Sequence, residues 1–306
     1  MNHLTPSWPT AGYKLQALRA FTIVLSALIL NGTGLAYASD APPTTLTRLH
    51  GEAIEQRVIS QDNSAGTVVI ENGSRANLEG WSRVISGLDA KSDKSRPTKA
   101  WSVFAYNRPG IGRSEATDRP RDGRQIVADL RELLQQQGLK PPYLLVGHSL
   151  GGLYMQLYAR MYPVEVQGLV LVDSLYPGII KKPEDFPIYA RWGKALFFSR
   201  MASREIDAIY STGEDVMAYP WATQIPVTRL VNAPKSAGAI AVDFGVINAD
   251  TATISRVRAM YPGAKTVVID SDHQVQKESP EVVVQAIQEL MIPKLKFLPK
   301  KAELSL

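Results

Sequence analysis

The clearest chemistry in this chain lies in the stretch Tyr143-Leu-Leu-Val146-Gly147-His148-Ser149-Leu150-Gly151-Gly152. A continuous apolar run passes through a glycine-flanked serine into a segment with helical spacing. This matches G-x-S-x-G in the strand–turn–helix setting which that motif requires. Gly147 and Gly151 flank the turn because a side chain at either place would collide with the tightly turned backbone. The serine is thereby forced into a strained conformation with its hydroxyl above the strand end. It also precedes a helix, whose free N–H groups and positive dipole favour a developing negative charge. That is the chemistry of a serine nucleophile. Such a short pattern also arises by chance, but the apolar strand before it and the helix after it make chance a poor explanation.

A serine hydroxyl at its free pKa is a weak nucleophile and needs a base within hydrogen-bond reach. The chain holds four histidines, His3, His50, His148 and His273, so few bases are available. It holds no cysteine, which removes a thiol nucleophile, a disulfide framework, a Cys-ligated zinc and an iron–sulfur cluster. With 45% hydrophobic and 21% charged residues, the composition is that of an ordinary globular chain, neither disordered nor collagenous. A formal charge of +5 is mildly basic, but the positive residues are spread along the chain. It therefore reads as a solvated surface, and no nucleic-acid partner is expected.

The elements that must position the serine alternate along the chain. Leu46–His50 and Glu55–Ser60 read as a strand pair, and Thr67–Ile70 and Trp101–Tyr106 as further strands. Asp122–Gln137 reads as a helix, with Ile126, Val127, Leu130, Leu133 and Leu134 at helical spacing and Gly138 as its stop. After Tyr143–Val146 comes a helix through Met161, then strands at Leu169–Val172, Val227–Val231 and Lys265–Ile269, and a closing helix at Pro280–Met291. Continuous apolar strands separated by helices predict a parallel sheet covered on both faces. Residues 174–225 break the pattern. They carry Tyr176, Phe186, Tyr189, Trp192, Phe197, Phe198, Tyr210, Tyr219 and Trp221 without strand alternation, and read as a helical insertion over one sheet edge.

With these elements in place, the chain resembles the α/β-hydrolase fold serine hydrolases, over nearly all of residues 45–292. Beyond the serine elbow, Val68-Val-Ile-Glu71-Asn72-Gly73-Ser74 resembles the strand and loop that usually read H-G in that family. Val103-Phe-Ala-Tyr106-Asn107-Arg108-Pro109-Gly110-Ile111-Gly112-Arg113-Ser114 resembles its D-R-P-G-x-G-x-S turn. Ile269-Asp270-Ser271-Asp272-His273-Gln274 resembles its last strand and histidine loop. A dinucleotide fingerprint is rejected for Gly110-Ile111-Gly112, since the third glycine and a later ribose-binding acid are missing.

The resemblance implies an α/β fold with a mostly parallel eight-stranded sheet flanked by helices, a single domain over residues 39–306 and a lid insertion at about 174–225. It implies Ser149 as nucleophile and His273, after the last strand, as general base and acid. His50 is expected in the first strand at the far edge of the sheet, and His148 is expected to face away from Ser149. The acid must lie between serine and histidine in the chain. Asp173, ending its strand, is preferred, with Asp243 and Asp250 as alternatives because the family more often carries its acid after the next strand. The Leu150 N–H and one from the Gly73–Ser74 loop, taken as Ser74, would form the oxyanion hole. Asn72 stands where the family has histidine, so the Ser74 assignment rests on alignment alone. Asp272, beside His273, reads as a solvated loop charge. No metal or cofactor is expected.

The first residues read as an export signal. Lys14 and Arg19 precede the apolar run Ala20–Leu30, and Ala36-Tyr37-Ala38 forms a small-x-small cleavage site. The run is short against the ~20 residues a spanning helix needs. Cleavage after Ala38 and a periplasmic or secreted product are expected, with a retained N-terminal anchor as the alternative. The whole reads as an exported esterase-like serine hydrolase acting on a small, partly apolar ester-like substrate. A fold-sharing binding or sensing protein and a perhydrolase-like member are the alternatives.

Overall fold

The computed structural model of the chain describes residues 41–88, 100–179, 182, 184, 198–233 and 250–292. The expected signal at 1–38 and Asp243 lie outside the described residues. Eight strands form one sheet in the order β1-β2-β4-β3-β5-β6-β7-β8. These are β1 (Thr45–Leu49), β2 (Glu52–Ile59), β3 (Thr67–Glu71), β4 (Ser102–Tyr106), β5 (Tyr143–His148), β6 (Val166–Val172), β7 (Val227–Asn232) and β8 (Lys265–Ile269). β2 pairs antiparallel with both β1 and β4, and every other pairing is parallel.

Helices cover both faces, as near-continuous apolar strands require. On β5, Tyr143 and Leu145 point into one cluster with Ile126, Leu130, Leu134, Leu153 and Leu157. Their neighbours Leu144 and Val146 point into the other, with Val84, Ile85, Val283 and Ile287. The first cluster is covered by α2 (Gly123–Gln136) and α3 (Leu150–Met161), the second by α1 (Ser82–Leu88) and a long C-terminal helix at Pro280–Met291. Asp122 caps α2, its side chain accepting from the Gln125 N–H at 3.0 Å, and Gly138 follows the helix at φ +67°.

The strands run further than their apolar runs suggest. β5 continues through Gly147 and His148, which pair with Leu171 and Val172, because the polar His148 is itself fully buried. β6 begins at Val166, ahead of the half-exposed Gln167 that interrupts the apolar pattern. His50 is not in the first strand. With Gly51 it forms the turn from β1 to β2, at φ +53°, and its Nε2 lies 3.3 Å from Asp129 and 3.4 Å from Glu132.

Between β6 and β7 the described residues include α4 (Arg200–Asp207) and α5 (Ile209–Ala218), capped at the start of α4 by Ser199. Four of the described aromatic residues of this stretch pack into or against the first cluster. Tyr176 and Phe198 are buried in the first cluster, and Tyr219 and Trp221 pack against it, Trp221 edge-on to Tyr261 at 4.8 Å. Tyr176 accepts from Arg229 Nε at 2.8 Å. Phe186, Tyr189, Trp192 and Phe197 lie outside the described residues.

β2 also anchors the turn after β4. Glu55 accepts from Arg113 N–H, Arg113 Nε, Asn107 Nδ2 and Thr44 Oγ1, each at 2.8 Å. Burial pushes its carboxyl up, but these donors, Arg113 first, outweigh burial and hold it down at about 2. A depressed carboxyl stabilises the fold above its ordinary pKa and loses that contribution as pH falls toward 2. Glu55→Gln is therefore expected to cost about 2–3 kcal/mol of unfolding free energy at pH 7. Urea denaturation should show this cost shrinking between pH 4.5 and 2. A cost that does not change with pH would refute it.

Candidate active site

Ser149 sits where β5 ends and α3 begins, at φ +51° and ψ −120°. A non-glycine residue there is strained, and the surrounding backbone holds it. Its N–H donates to the Val172 carbonyl at 3.1 Å, and its own carbonyl accepts from Gly152 and Leu175, both at 3.0 Å. The flanking glycines are required by space. A Cβ on Gly147 would lie 2.6 Å from Gly152 Cα, and one on Gly151 would lie 2.5 Å from the Glu71 carbonyl. The second contact ties the first turn of α3 to the loop after β3. Leu150 is the first residue of α3, so its N–H has no acceptor within its own helix.

The loop after β3 meets the elbow from the other side. A methyl group on Gly73 would lie 3.3 Å from Ser149 Cβ and 2.7 Å from His148 Nδ1. Ser74 follows, buried. Asn72, which stands in place of the histidine usual at that position in the resembled family, donates through Nδ2 to the Tyr106 carbonyl at 2.6 Å, cross-linking the ends of β3 and β4.

His273 and Asp173 meet. His273 Nδ1 lies 2.8 Å from Asp173 Oδ2, with the carboxylate fully buried and the imidazole 12% exposed. Asp173 directly follows β6 at φ +41°, its N–H donating to the Leu230 carbonyl at 2.8 Å. Its second oxygen, Oδ1, accepts from the Asn232 N–H at 3.4 Å. Asp250, by contrast, caps the helix Thr251–Met260, accepting from the Thr253 N–H at 2.8 Å, so its carboxylate is committed there. Asp272 closes a local turn by accepting from the Gln274 N–H at 2.6 Å.

His148 does more than flank the serine. Its ring lies 4.6 Å from that of His273, centroid to centroid, and its Nε2 is 2.7 Å from the His273 carbonyl oxygen. A carbonyl only accepts, so the Nε2–H donates and Nδ1 keeps a lone pair, buried without a hydrogen-bond partner. Burial, then the neighbouring His273 and Lys277, push its pKa well below the ordinary 6.5, so the ring is neutral. Unfolded, the same histidine takes up a proton more readily, so the fold loses stability as pH drops below 6.5. In His148→Gln the stability difference between pH 7.5 and pH 5 is expected to shrink by about 1–2 kcal/mol, read from urea midpoints. An identical pH slope in both proteins would contradict the neutral buried ring.

Sequence reasoning missed a buried charge cluster beside the Gly73 loop. Arg108, 1% exposed, reaches Glu71 through Nη1 at 2.6 Å and Glu205 of α4 through Nη2 at 2.9 Å. It also donates to the carbonyls of Asn72 at 2.7 Å and Gly73 at 3.0 Å. Arg121 adds a second cation on Glu205 at 3.1 Å and contacts Asp129 at 3.3 Å. The Glu71 carboxyl, pushed up by burial against the pull of Arg108, also accepts from the Tyr106 hydroxyl at 2.7 Å. Burial likewise raises Glu205, but the two arginines outweigh it and keep it ionised. The signal was an acid closing the apolar run Val68-Val-Ile70 and an arginine just beyond the next strand, one inward charge for another.

Glu71, Asn107, Ser149, Asp173 and His273 thus stand at or just beyond the carboxyl ends of β3, β4, β5, β6 and β8, where sheets of this kind gather their ligands. Fold and geometry together define a class of mostly parallel α/β sheets that present a strained serine elbow and a histidine–aspartate pair on one edge. The chain belongs to the alpha/beta hydrolase fold family, which it matches over residues 66–237, more than half its length. It is 32% identical to the uncharacterised protein YqjL of Bacillus subtilis over 111 residues, 36% of this chain and 40% of that protein. It is 34% identical to the (lyso)-N-acylphosphatidylethanolamine lipase of Mus musculus over 100 residues, 31% of this chain and 29% of that enzyme. Each of these curated matches spans no more than 40% of the relative's own length. Among solved structures, the enol-lactonase of Burkholderia xenovorans is similar with a TM-score of 0.59 at 15% identity, covering 81% of this chain and 99% of that one. At that identity the likeness is one of fold. Among the described residues no helix is long and apolar enough to cross a membrane.

Proposed function

We propose that this protein is an esterase-like serine hydrolase that cleaves a carboxylic ester or related acyl bond of a small molecule. Ser149 Oγ attacks the carbonyl carbon while His273 takes the hydroxyl proton through Nε2, and Asp173 holds the imidazole by Nδ1. The tetrahedral oxyanion is received by the Leu150 N–H and the Ser74 N–H. Collapse expels the alcohol, protonated by His273, and leaves an acyl-enzyme. Water, deprotonated by His273, then releases the acid and restores Ser149. The observation that supports this most is the 2.8 Å contact of His273 Nδ1 with a buried carboxylate, made by a loop whose histidine also packs, tilted by 44°, against the ring of the residue preceding Ser149. The lipase name of the mouse relative favours an acyl substrate. The export reading belongs to the same proposal: residues 1–38 supply a basic flank, a short apolar run and a cleavage triplet.

A fluorophosphonate probe tests the mechanism. It is expected to label the intact protein stoichiometrically, with the adduct mapped by mass spectrometry to Ser149, and short p-nitrophenyl esters are expected to turn over. Absence of both would leave a fold that binds without catalysing. N-terminal sequencing of the protein from the extracytoplasmic fraction should begin at Ser39, and a start at Met1 would refute cleavage.

A further inference from the structure

The charge cluster around Arg108 has no part in the proton transfers, yet it occupies the space directly behind the Gly73 loop. A guanidinium is a rigid fork with five donors, and here it is filled on all sides. Nε and Nη2 take Glu205, each at 2.9 Å, and Nη1 takes Glu71 at 2.6 Å. The remaining capacity goes to two consecutive backbone carbonyls, those of Asn72 and Gly73. In a trans peptide the N–H points opposite to the C=O of the same unit. Capturing the Asn72 and Gly73 carbonyls therefore turns the Gly73 and Ser74 N–H groups away from Arg108. The same loop lies against the elbow, where a Cβ on Gly73 would come within 3.3 Å of Ser149 Cβ.

We propose that Arg108 is the positioning residue of the second oxyanion donor. Its fork, held between Glu71 and Glu205, pins the Asn72 and Gly73 carbonyls so that the Ser74 N–H faces the oxyanion site. Because Glu205 belongs to α4, the same clamp couples the segment between β6 and β7 to the catalytic loop. The inference rests on the acyl-transfer reading above and assigns what sets the aim of one of its donors. A lysine at this position keeps the charge between the two glutamates but, as a single compact ammonium, cannot span both carbonyls and both carboxylates.

Arg108→Lys in the full chain is the main test. Losing an oxyanion donor outright costs about 10²–10³ in kcat, so misaiming one is expected to lower kcat about 10–100-fold. KM for a p-nitrophenyl ester should stay within about twofold, since the donor acts on the oxyanion, which forms only in the transition state. The affinity for an alkyl trifluoromethyl ketone, which forms an oxyanionic adduct on an active serine, should weaken by the same factor as kcat. The pH midpoint of kcat/KM should not move, because His273 and Asp173 are untouched. The double variant Arg108→Met with Glu205→Gln removes the clamp without leaving an unpaired Glu205 carboxylate, and is expected to give the same pattern if the lysine variant does not fold. Wild-type kcat in either folded variant, or lost kcat with undiminished ketone affinity, overturns the proposal. Wild-type protein that neither labels at Ser149 nor turns over esters would instead sink the acyl-transfer reading itself.

Discussion

Ser149→Ala is expected to lower kcat for a short p-nitrophenyl ester about 10⁶-fold, the scale on which serine triads lose function when the nucleophile is removed. What remains would come from binding and from the oxyanion donors, which the substitution leaves in place. His273→Ala should cost nearly as much, and the double variant hardly more, because nucleophile and base act as one unit. The fold should tolerate the serine change, since the elbow is held by main-chain bonds from Ser149 to Val172, Gly152 and Leu175 rather than by the hydroxyl. Progress curves with active-site titration of the wild type would measure the ratio. A Ser149→Ala protein that keeps a hundredth of wild-type turnover would mean that another group performs the attack.

The second large effect concerns the acid. Asp173→Asn is expected to reduce kcat about 10⁴-fold while the protein stays folded. In the proposed mechanism the Asp173 carboxylate, 2.8 Å from His273 Nδ1, accepts from it and keeps the proton there, leaving Nε2 as the base. An asparagine amide can donate to Nδ1 instead, which puts the ring in the other tautomer and removes the base. Glutamate at 173 would keep the charge but lengthen a side chain that is fully buried, so it should recover little. A normal melting temperature with normal turnover in the asparagine variant would transfer the role to another carboxylate, Asp243 being the remaining alternative. Asp250 is already bonded to the Thr253 N–H as a helix cap.

The two acids show where sequence reading runs out. Asp173 and Asp250 both follow Ser149 and precede His273, so chain order does not separate them, and the preference for Asp173 rested on its place at a strand end. The structure separates them by direction. Asp173 leaves β6 at φ +41° and turns its carboxylate to the loop after β8, while Asp250 folds back onto its own helix. His50 was similarly placed by pattern in a strand, but a positive φ and the following Gly51 make it a turn. For His148 the sequence indicated only an orientation away from Ser149; the structure adds that β5 carries it into the core, where its Nε2 meets the His273 carbonyl.

Local chemistry written in consecutive residues was legible without coordinates. The alternation of apolar strands and helices, the glycine-spaced elbow and the helix stop at Gly138 each depend on neighbours within a few positions, where sterics and hydrogen bonding are governed by residue type. Parallel order followed from the same runs, since strands apolar on both faces need cover on both. Which carboxylate meets His273, which ring supports its loop and which arginine holds the Asn72 and Gly73 carbonyls were decided by the tertiary structure alone. Arg108 and Glu205 are far apart in the chain, and only the packing of α4 beyond the strand ends brings them to 2.9 Å. Such contacts depend on the direction in which a buried side chain leaves its strand end, and that direction is set by the whole sheet rather than by the residues beside it.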